Sequence, residues 1–417
     1  MIDADLYDPR TYLSGLPLEA FRKLRRECPV YWQEERAILD WPAGRGYWAI
    51  TRYADVETVN HHPQLFSSNL GATQIRDPKP EDLEFQRKMM LNLDPPAHSR
   101  LRRIVSRAFT PRNVGRLEHG IRERAREAVA RVAACGECDF PQGLSADLPV
   151  YTLADVMGVP ADDRKLLLHW GNRVIGFQDP EYAQIGEDGK PIDPRSRRAL
   201  SDMFDYAHAL AAEKRKRPAD DILTTLLCAE VEGEKVSDEE FENFFFLLSV
   251  AGNETLRNAI PGGMLALIEH RDQLRRLLAE PSLLPSAIEE MLRFASPVMC
   301  FRRTAAADTE LAGVPIRRGD KVVVYYASAN HDETVFPDAG KFDVGRTPND
   351  HFGLGIGPHF CLGAFLARLE MRVFFEELLW RFPDIELAGP IERLQSNFQS
   401  GIKHMPVRFT PSAEGRG

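Results

Sequence analysis

The chain has 417 residues, of which 43% are hydrophobic and 28% are charged, and its formal net charge at pH 7 is -9. This is the composition of an ordinary globular protein with a large core, and the excess of acidic residues argues against nucleic acid or an anionic membrane as the main partner. The six cysteines are scattered through a chain too long to resemble a small disulfide-rich secreted domain, so we expect reduced thiols.

The N-terminal segment MIDADLYDPR is acidic and has neither the cationic start nor the apolar run of a secretory signal. The densest apolar stretch, residues 244–252, is far shorter than the roughly 20 residues that a bilayer span requires. We therefore expect a cytoplasmic protein without a membrane segment.

Helical periodicity dominates the chain. Apolar residues at three- and four-residue spacings predict helices over 18–28, 98–109, 117–134, 196–217 and 286–294. Shorter runs of β-branched and aromatic residues predict strands over 47–51, 309–316, 321–328 and 404–410. The predicted fold class is mainly α with a minor β-sheet.

The organisation of the chain is predicted to be simple. No fixed-period repeat or low-complexity linker divides it, so we expect one domain over residues 1–417. Two polar segments that contain proline, 71–82 and 177–194, are predicted to be long loops. Such loops are often lids or ligand contacts, and a solvated connection is the equal alternative.

The segment SDEEFENFFFLLSVAGNETLRNAI, residues 237–260, predicts an unusually long helix. Ser237 is expected to cap it, and apolar residues then cover nearly every face, which indicates burial all round. If it continues to about His270 it is roughly 50 Å long at 1.5 Å per residue. Pro261 lies inside this span and removes one backbone hydrogen bond, so we expect a kink or a break there.

Two short stretches point to chemistry. AGNET, residues 251–255, puts small and polar residues in the apolar middle of the long helix, where an ordinary core helix would avoid them. FGLGIGPHFCLG, residues 352–363, surrounds Cys361 with four glycines and a proline. Glycine is used where backbone must turn left-handed or approach another group closely, so a shaped backbone surface is expected around this cysteine.

Cys361 also stands at the N-terminus of an amphipathic helix, LGAFLARLEMRVFFEELLWRF. The unpaired amides and the dipole of a helix N-terminus stabilise a thiolate. Such a thiolate can be a nucleophile, a redox centre or a metal ligand, although no second cysteine lies nearby at zinc or iron-sulfur spacing. The alternative is a buried thiol that acts as a small apolar residue, and the glycine run makes that the poorer interpretation.

Together these motifs resemble those of the cytochrome P450 superfamily of haem-thiolate monooxygenases. GIGPHFCLG, followed by LARLEMR, is similar to its haem-binding signature. Further matches occur in the family's order over nearly the whole chain: DPPAHSRLRR (94–103), AGNET (251–255), EEMLR (289–293), FRRTAAAD (301–308) and FPDAGKFDVGR (336–346). The resemblance implies the P450 fold, with haem b between the long central helix and the helix that follows the cysteine.

The resemblance also implies roles for single residues. Cys361 is the implied axial thiolate ligand of the haem iron, which favours cleavage of bound dioxygen. The implied partners of the two haem propionates are His98, Arg102, Arg303 and His359. One departure concerns Leu354, which stands where the family has an aromatic residue, with Phe352 two residues before it.

Two further sets of residues take roles from the same resemblance. Ala251 and Gly252 would leave room for dioxygen above the iron, and Glu254 and Thr255 would organise the protons delivered to it. The remaining set is a buried ionic cluster that holds the scaffold: Glu290, Arg293 and Arg346. For the first two of these, an exposed salt bridge between residues three apart is the commoner arrangement in general.

The implied activity is insertion of one oxygen atom of dioxygen into a C–H bond, with the other atom released as water. No flavin or iron-sulfur domain fits in the chain, so an external ferredoxin and its reductase are expected to supply the electrons. Arg368 and Arg372 resemble a docking patch for an acidic ferredoxin, and ordinary solvated arginines are the alternative. The protein is expected to be a monomer, with no nucleic acid and no membrane as partner.

The substrate is expected to be bulky and apolar. AGNET followed by xRNA is similar to bacterial subgroups that act on sterol side chains, terpenoids and branched lipids. Phe398 and PVMC, residues 297–300, are candidate pocket walls because the family places those turns beside the haem. Two alternatives stay open: a peroxide-driven haem-thiolate enzyme, which would need neither Glu254 nor Thr255, and a non-catalytic haem sensor.

Overall fold

The computed structural model describes residues 4–412 except 40, 187–188, 190–191, 195 and 232. The single-domain prediction for 1–417 and the loop prediction for 177–194 therefore lie partly outside the described residues. No helix in the described ranges combines the length and the apolar character of a membrane span.

The chain is mainly helical, as predicted. The α-helices of the described residues, labelled α1 to α15 in chain order, are Leu18–Glu27, Tyr53–His61, Pro80–Arg87, Ala97–Ser106, Pro111–Gly115, Glu118–Ala133, Asp147–Met157, Arg164–Ile175, Ser201–Lys216, Ile222–Cys228, Asp238–Glu269, Arg271–Ala279, Leu284–Ala295, Tyr326–Ala329 and Ala364–Leu379. The loop predicted over 71–82 is wrong for its last three residues, because α3 already begins at Pro80. The five helices predicted from periodicity correspond to α1, α4, α6, α9 and α13.

The strands are short. Those in the described part of the chain, labelled β1 to β14, are Val30–Gln33, Tyr47–Ile50, Phe66–Ser67, Glu137–Asp139, Glu230–Val231, Glu234–Lys235, Cys300–Ala305, Thr309–Leu311, Val314–Ile316, Lys321–Tyr325, Glu386–Leu387, Glu392–Arg393, Ile402–His404 and Pro406–Arg408. The largest sheet has the order β1-β2-β10-β7-β3, in which only the pairing of β10 with β2 is parallel.

Three predicted strands differ from those in the structure. The segment 309–316 is a hairpin, because Ala312 and Gly313 adopt φ angles of 50° and 79° and reverse the chain between β8 and β9. The segment 321–328 is strand only to Tyr325, after which α14 begins. The segment 404–410 spans the end of β13 and all of β14, two strands that belong to different sheets.

Helix α11 is the long central helix, and it contacts α7, α8, α9 and α13. Ser237 caps it as predicted, in a reciprocal pair of hydrogen bonds with Glu240. Of the kink or break predicted at Pro261, the break is wrong, since the helix runs without interruption to Glu269. The following turn is pressed against α13, where a Cβ on Gly262 would lie 2.8 Å from Ala295, and such tertiary packing stabilises a helix beyond its intrinsic propensity.

An ionic cluster joins α13 to the chain that precedes the cysteine segment. Glu290 and Arg293 are both 0% exposed, and the guanidinium donates to both carboxylate oxygens at 2.7 and 2.8 Å. It also donates to the carbonyl oxygens of Asn330 and Ala339, while Arg346 donates to Glu290 at 3.1 Å. In this scaffold cluster of Glu290, Arg293 and Arg346, the first two residues are fully buried and Arg346 is partly exposed, so the pair is not an exposed salt bridge.

Candidate active site

A cavity of about 1420 Å³ lies between α11 and the segment around Cys361. Its walls are largely apolar and come from several helices and one strand: they include Met90, Leu153, Phe244, Leu248, Val298 and Phe301. We call it the central cavity. Its largely apolar lining suits an apolar cofactor and an apolar substrate, because small-molecule sites are lined mainly by hydrophobic and aromatic side chains.

The glycines of the cysteine segment shape one wall of this cavity. Gly355 and Gly357 have φ angles of 73° and 70°, in the left-handed region that favours glycine. A Cβ on Gly357 would lie 2.8 Å from the carbonyl oxygen of Asn60, so this backbone approaches α2 closely. The amide of Cys361 donates to the carbonyl oxygen of Leu354 at 2.8 Å, which closes the loop and turns the thiol toward the cavity.

The thiol of Cys361 is set in apolar surroundings. Burial raises its pKa, while the backbone amide of Gly363 and the charges of Arg102 and Arg368 oppose that rise. The helix-end effect expected from the sequence is thus outweighed by burial in the protein alone. A bound metal ion reverses this balance, because a coordinating thiol is deprotonated outright.

Four nitrogen-bearing side chains predicted to bind a cofactor line the same cavity: His98, Arg102, Arg303 and His359. The rings of His98 and His359 lie 4.3 Å apart, and His359 is 3.3 Å from the hydroxyl of Ser68. Arg303 donates to the side-chain oxygen of Asn60 at 3.0 Å. They reach the cavity from α4, β7 and the cysteine segment, which are far apart in the sequence.

Burial controls the titration of the two histidines. It lowers the pKa of His98, to which the nearby charge of Arg102 adds, and lowers that of His359 well below its ordinary value, to which Arg303 adds. The Nδ1 atom of His98 is buried and has no hydrogen-bond partner among the described residues. A buried nitrogen of this kind calls for a partner from a ligand.

Three residues of AGNET face the central cavity. Ala251, Gly252 and Thr255 all line the central cavity from α11. A Cβ on Gly252 would lie 2.9 Å from Leu153, so a larger residue would displace the opposite wall. The hydroxyl of Thr255 donates to the carbonyl oxygen of Ala251 at 2.7 Å.

Glu254 lies on the other side of the helix. It lines a separate polar pocket of about 450 Å³, together with Asn172 and Arg257. Its carboxylate accepts from Arg257 at 2.6 Å, and the same guanidinium donates to Asn172 at 2.7 Å. Consecutive helical residues point about 100° apart, so an acid next to Thr255 in the sequence need not share its face.

Of the residues predicted to form pocket walls, some line the central cavity and others do not. Pro297 and Val298 line the central cavity, whereas Met299 and Cys300 are fully buried in the core beside the main sheet. Phe398 does not line the cavity itself, but it packs against Phe301, which does, at 5.3 Å between ring centroids.

Arg368 and Arg372 are both ion-paired. The former donates twice to Glu289, at 2.6 and 2.8 Å, and the latter pairs with Glu118 and Glu376. Hydrogen bonds from Arg368 and His351 overcome the effect of burial and lower the pKa of Glu289 to about 2. The two arginines therefore connect helices as well as carrying charge.

Sequence reasoning missed two polar side chains that line the cavity, Tyr326 and Glu370. Tyr326 lines it and shares the side-chain oxygen of Asn60 with Arg303. Glu370 also lines it, from α15. The signal for Glu370 was present in the sequence, since it falls three and four residues after Ala367 and Leu366 on the apolar face of an amphipathic helix.

This donor set fits haem. An apolar cavity suits the macrocycle, the arginines and histidines suit two carboxylates, and Cys361 supplies a soft ligand for iron. The unpartnered nitrogen of His98 is accounted for by such a carboxylate.

Comparisons with known proteins agree with this geometry. The Cytochrome P450 family model matches residues 188–387. The chain is 43% identical to a steroid C26-monooxygenase of Mycobacterium tuberculosis, over 97% of this chain and 92% of that protein. It is 43% identical to a methyl-branched lipid omega-hydroxylase of the same species, over 94% and 90% of the two chains. A Mycobacterium marinum cytochrome P450 in complex with pseudoionone superposes with a TM-score of 0.85, at 40% identity and 94% coverage of both chains.

Proposed function

This chain belongs to the cytochrome P450 family of monooxygenases, and from that premise we propose that it binds haem b and hydroxylates a bulky apolar molecule, a steroid, a terpenoid or a methyl-branched lipid. The observation that carries the proposal is the largely apolar central cavity, into which the thiol of Cys361 and the small residues of α11 both face. The P450 fold is shown by the match to solved structures of the family.

The cofactor that the family implies is a haem-thiolate. In the proposal Cys361 ligates the iron, and the propionates are bound by His98, Arg102, Arg303 and His359. When bound, haem supplies the activation of dioxygen and the insertion of one of its atoms into a C–H bond. Asn60 supports this site, because it accepts hydrogen bonds from both Arg303 and Tyr326 and fixes their orientation.

The middle of α11 is proposed to leave room for a small ligand and to transfer protons. Ala251 and Gly252 present no bulk toward the cavity, which leaves room for a small ligand beside the substrate. The hydroxyl of Thr255 can accept a proton from one side and pass its own proton to the other. Glu254 would act from the polar pocket behind the helix, where Arg257 and Asn172 hold it, and so would connect this site to water on that side.

The substrate class is supported by the names of the relatives and by the cavity. One relative is a steroid C26-monooxygenase and another a methyl-branched lipid omega-hydroxylase. The cavity wall includes aromatic and aliphatic side chains that would bury an apolar substrate and offer it no hydrogen bonds: Phe244, Leu248, Val298 and Phe301. We therefore propose an aliphatic side chain, on a steroid or a lipid, as the part that is oxidised.

Electrons are proposed to come from an acidic ferredoxin and its reductase. Phe360 and Phe365, on either side of Cys361 in the sequence, are 41% and 53% exposed and would make the apolar centre of a docking surface. Arg107 and Arg112 are exposed in the neighbouring segment and would favour an acidic partner. Arg368 and Arg372 would contribute less than the sequence suggests, since each is already paired with carboxylates.

The test is oxygenation of a defined substrate. Purified protein loaded with haem is incubated with NADPH, a ferredoxin, its reductase and either a steroid with a branched side chain or a methyl-branched fatty acid. We expect a product that contains one oxygen atom from isotope-labelled dioxygen, and none from Cys361→Ser. Product formation by the wild-type protein with hydrogen peroxide alone, and not with the ferredoxin system, would contradict the proposed electron supply.

A further inference from the structure

Glu289 of α13 connects the chain that precedes Cys361 to the helix that follows it. Its carboxylate accepts two hydrogen bonds from Arg368 of α15, at 2.6 and 2.8 Å, and lies 3.1 Å from the Nε2 atom of His351. His351 stands before Cys361 in the chain and Arg368 stands after it. A single carboxylate therefore holds both flanks of the implied iron ligand.

His351 extends this attachment to the backbone of the cysteine segment. Its side chain is 2% exposed, and its Nδ1 atom accepts a hydrogen bond from the amide of Gly353 at 3.0 Å. Because Nδ1 is an acceptor, Nε2 carries the proton and donates it to Glu289, so both ring nitrogens are engaged. A Cβ on Gly353 would lie 2.7 Å from the carbonyl oxygen of Leu292, so the backbone at this point is pressed against α13.

Arg368 places a positive charge near the cysteine. The side chains of Arg368 and Glu289 are 36% and 27% exposed, so water screens this pair only in part. The charge of Arg368 acts on Cys361, where it opposes the effect of burial on the pKa of the thiol. Glu289 balances that charge through a bidentate contact, which is stronger than a single hydrogen bond. The electrostatic field at Cys361 therefore depends on one arginine and the carboxylate that neutralises it.

Such a balance of charges affects how readily an iron bound to Cys361 accepts an electron. Reduction adds one negative charge at the metal, so a nearby cation stabilises the reduced form and a nearby anion stabilises the oxidised form. Groups that contact a metal ligand from outside tune the metal in this way. The pair of Arg368 and Glu289 is placed to do so, because one member acts on the cysteine and the other holds its segment.

We propose that Glu289 is a positioning residue of the haem site, which sets the reduction potential by neutralising Arg368 and by holding the cysteine segment through His351. Without the carboxylate, the charge of Arg368 would act on Cys361 in full and the potential would rise. Without the guanidinium, the carboxylate would remain and the potential would fall. The inference rests on the proposed haem site, but it requires neither a substrate nor a ferredoxin.

The test is a spectroelectrochemical titration of the haem-loaded protein at neutral pH, without substrate and without dioxygen. In Glu289→Gln we expect the ratio of reduced to oxidised haem at a fixed applied potential to rise by about three- to tenfold. This is a shift of about 30–60 mV, because tenfold corresponds to about 59 mV for one electron. In Arg368→Gln we expect a fall of similar size. In the variant that carries both substitutions, the two shifts should largely cancel.

The matched control is Glu118→Gln. The carboxylate of Glu118 binds Arg372, one turn further along α15, at 2.8 Å, and the two side chains are 38% and 32% exposed. This variant should keep the potential of the wild type. A loosened site would shift the potential of Glu289→Gln and Arg368→Gln in the same direction, so opposite signs separate an electrostatic role from a structural one. Shifts of the same sign, or no shift in either variant, would overturn the proposal.

The proposed function and this inference fail in different ways. A protein that binds haem but oxygenates no substrate would contradict the proposed function, and its potentials would still decide the role of Glu289. A protein that binds no haem would contradict both. Should Glu289→Gln fail to fold, Arg368→Gln decides alone: a lowered potential is expected, and an unchanged or raised potential would overturn the proposal.

Discussion

The scaffold cluster and the central cavity both contain buried polar atoms. They differ in whether those atoms have hydrogen-bond partners within the protein. In the scaffold cluster, Arg293 donates to two carboxylate oxygens and to backbone carbonyls, and Glu290 accepts from Arg293 and Arg346. At the cavity, His98 and Glu370 each keep a buried atom without a partner among the residues described. Both regions remove polar groups from water, and only the first repays that loss within the protein itself.

Whether buried polar atoms have partners separates residues that hold the fold from residues that serve a ligand or a reaction. A buried charge is tolerated when it is paired and hydrogen-bonded, and it then fixes the elements that carry it. A buried polar atom without a partner costs free energy, and it is retained where a ligand or a reacting group completes it. The arrangement of hydrogen bonds therefore predicts which substitutions lose the fold and which lose only activity.

The largest effect is expected from breaking the scaffold cluster. Arg293→Leu would leave the Glu290 carboxylate buried with much of its network lost, and we expect the free energy of unfolding to fall by about 3–5 kcal/mol. Urea unfolding measures this. Arg408→Leu is the control, because its pair with Glu386 is exposed and should contribute less than about 1 kcal/mol. Similar losses in the two variants would contradict the distinction between satisfied buried pairs and surface pairs.

A substitution at the cavity wall should lower activity and leave stability unchanged. Thr255→Ala removes a hydroxyl from the cavity wall, and we expect unchanged stability with product formed per NADPH lowered by about tenfold or more and hydrogen peroxide released instead. Thr58→Ala is the matched control, since its hydroxyl makes the same bond to the carbonyl oxygen four residues earlier, at an exposed position of α2. Tight coupling of NADPH use to product in Thr255→Ala would count against a role in proton delivery.

A backbone prediction concerns the segment that carries the cysteine. Gly357→Ala places a Cβ in the left-handed region and 2.8 Å from the carbonyl oxygen of Asn60, so we expect a loss of about 1–2 kcal/mol and weaker retention of haem. Thermal unfolding and the rate of haem transfer to an acceptor protein measure the two effects. Gly340→Ala, where a Cβ would meet no atom within 4 Å, should change neither.

The smallest effect is expected from the partly exposed pair between Glu289 and Arg368. Hydrogen bonds overcome burial and lower the folded-state pKa of Glu289 to about 2, against a reference of 4.5. Its stabilisation is therefore complete above pH 4.5 and is lost as the pH falls toward 2. Glu289→Gln should cost about 1 kcal/mol at neutral pH, given the exposure of the pair. The difference from the wild type should shrink through the acidic range, and a constant difference would disprove the linkage.

Much of this architecture could be predicted from the sequence. Periodicity located α1, α4, α6, α9, α13 and the long α11, and glycine and cysteine placement located the loop around Cys361. The implied cofactor residues are distant in the chain but meet at one cavity, because each belongs to a motif that can be recognised separately.

What the sequence could not supply is the direction in which side chains point. Glu254 adjoins Thr255 in the chain, yet it faces another pocket because a helix rotates successive residues. Pro261 predicts a kink or a break in α11, yet the helix continues through it, and the turn that follows packs closely against α13. Glu370 sits on an apolar helical face, and only the structure shows that a cavity lies beside it.

The central claim is that Cys361 ligates a haem iron in this cavity. The most direct measurement is the absorption spectrum of the purified, haem-loaded protein after reduction and exposure to carbon monoxide. The account predicts a strongly red-shifted Soret band, the signature of thiolate ligation, which is lost in Cys361→His. A band of the histidine-ligated type in the intact wild-type protein, or failure to bind haem on reconstitution, would contradict it.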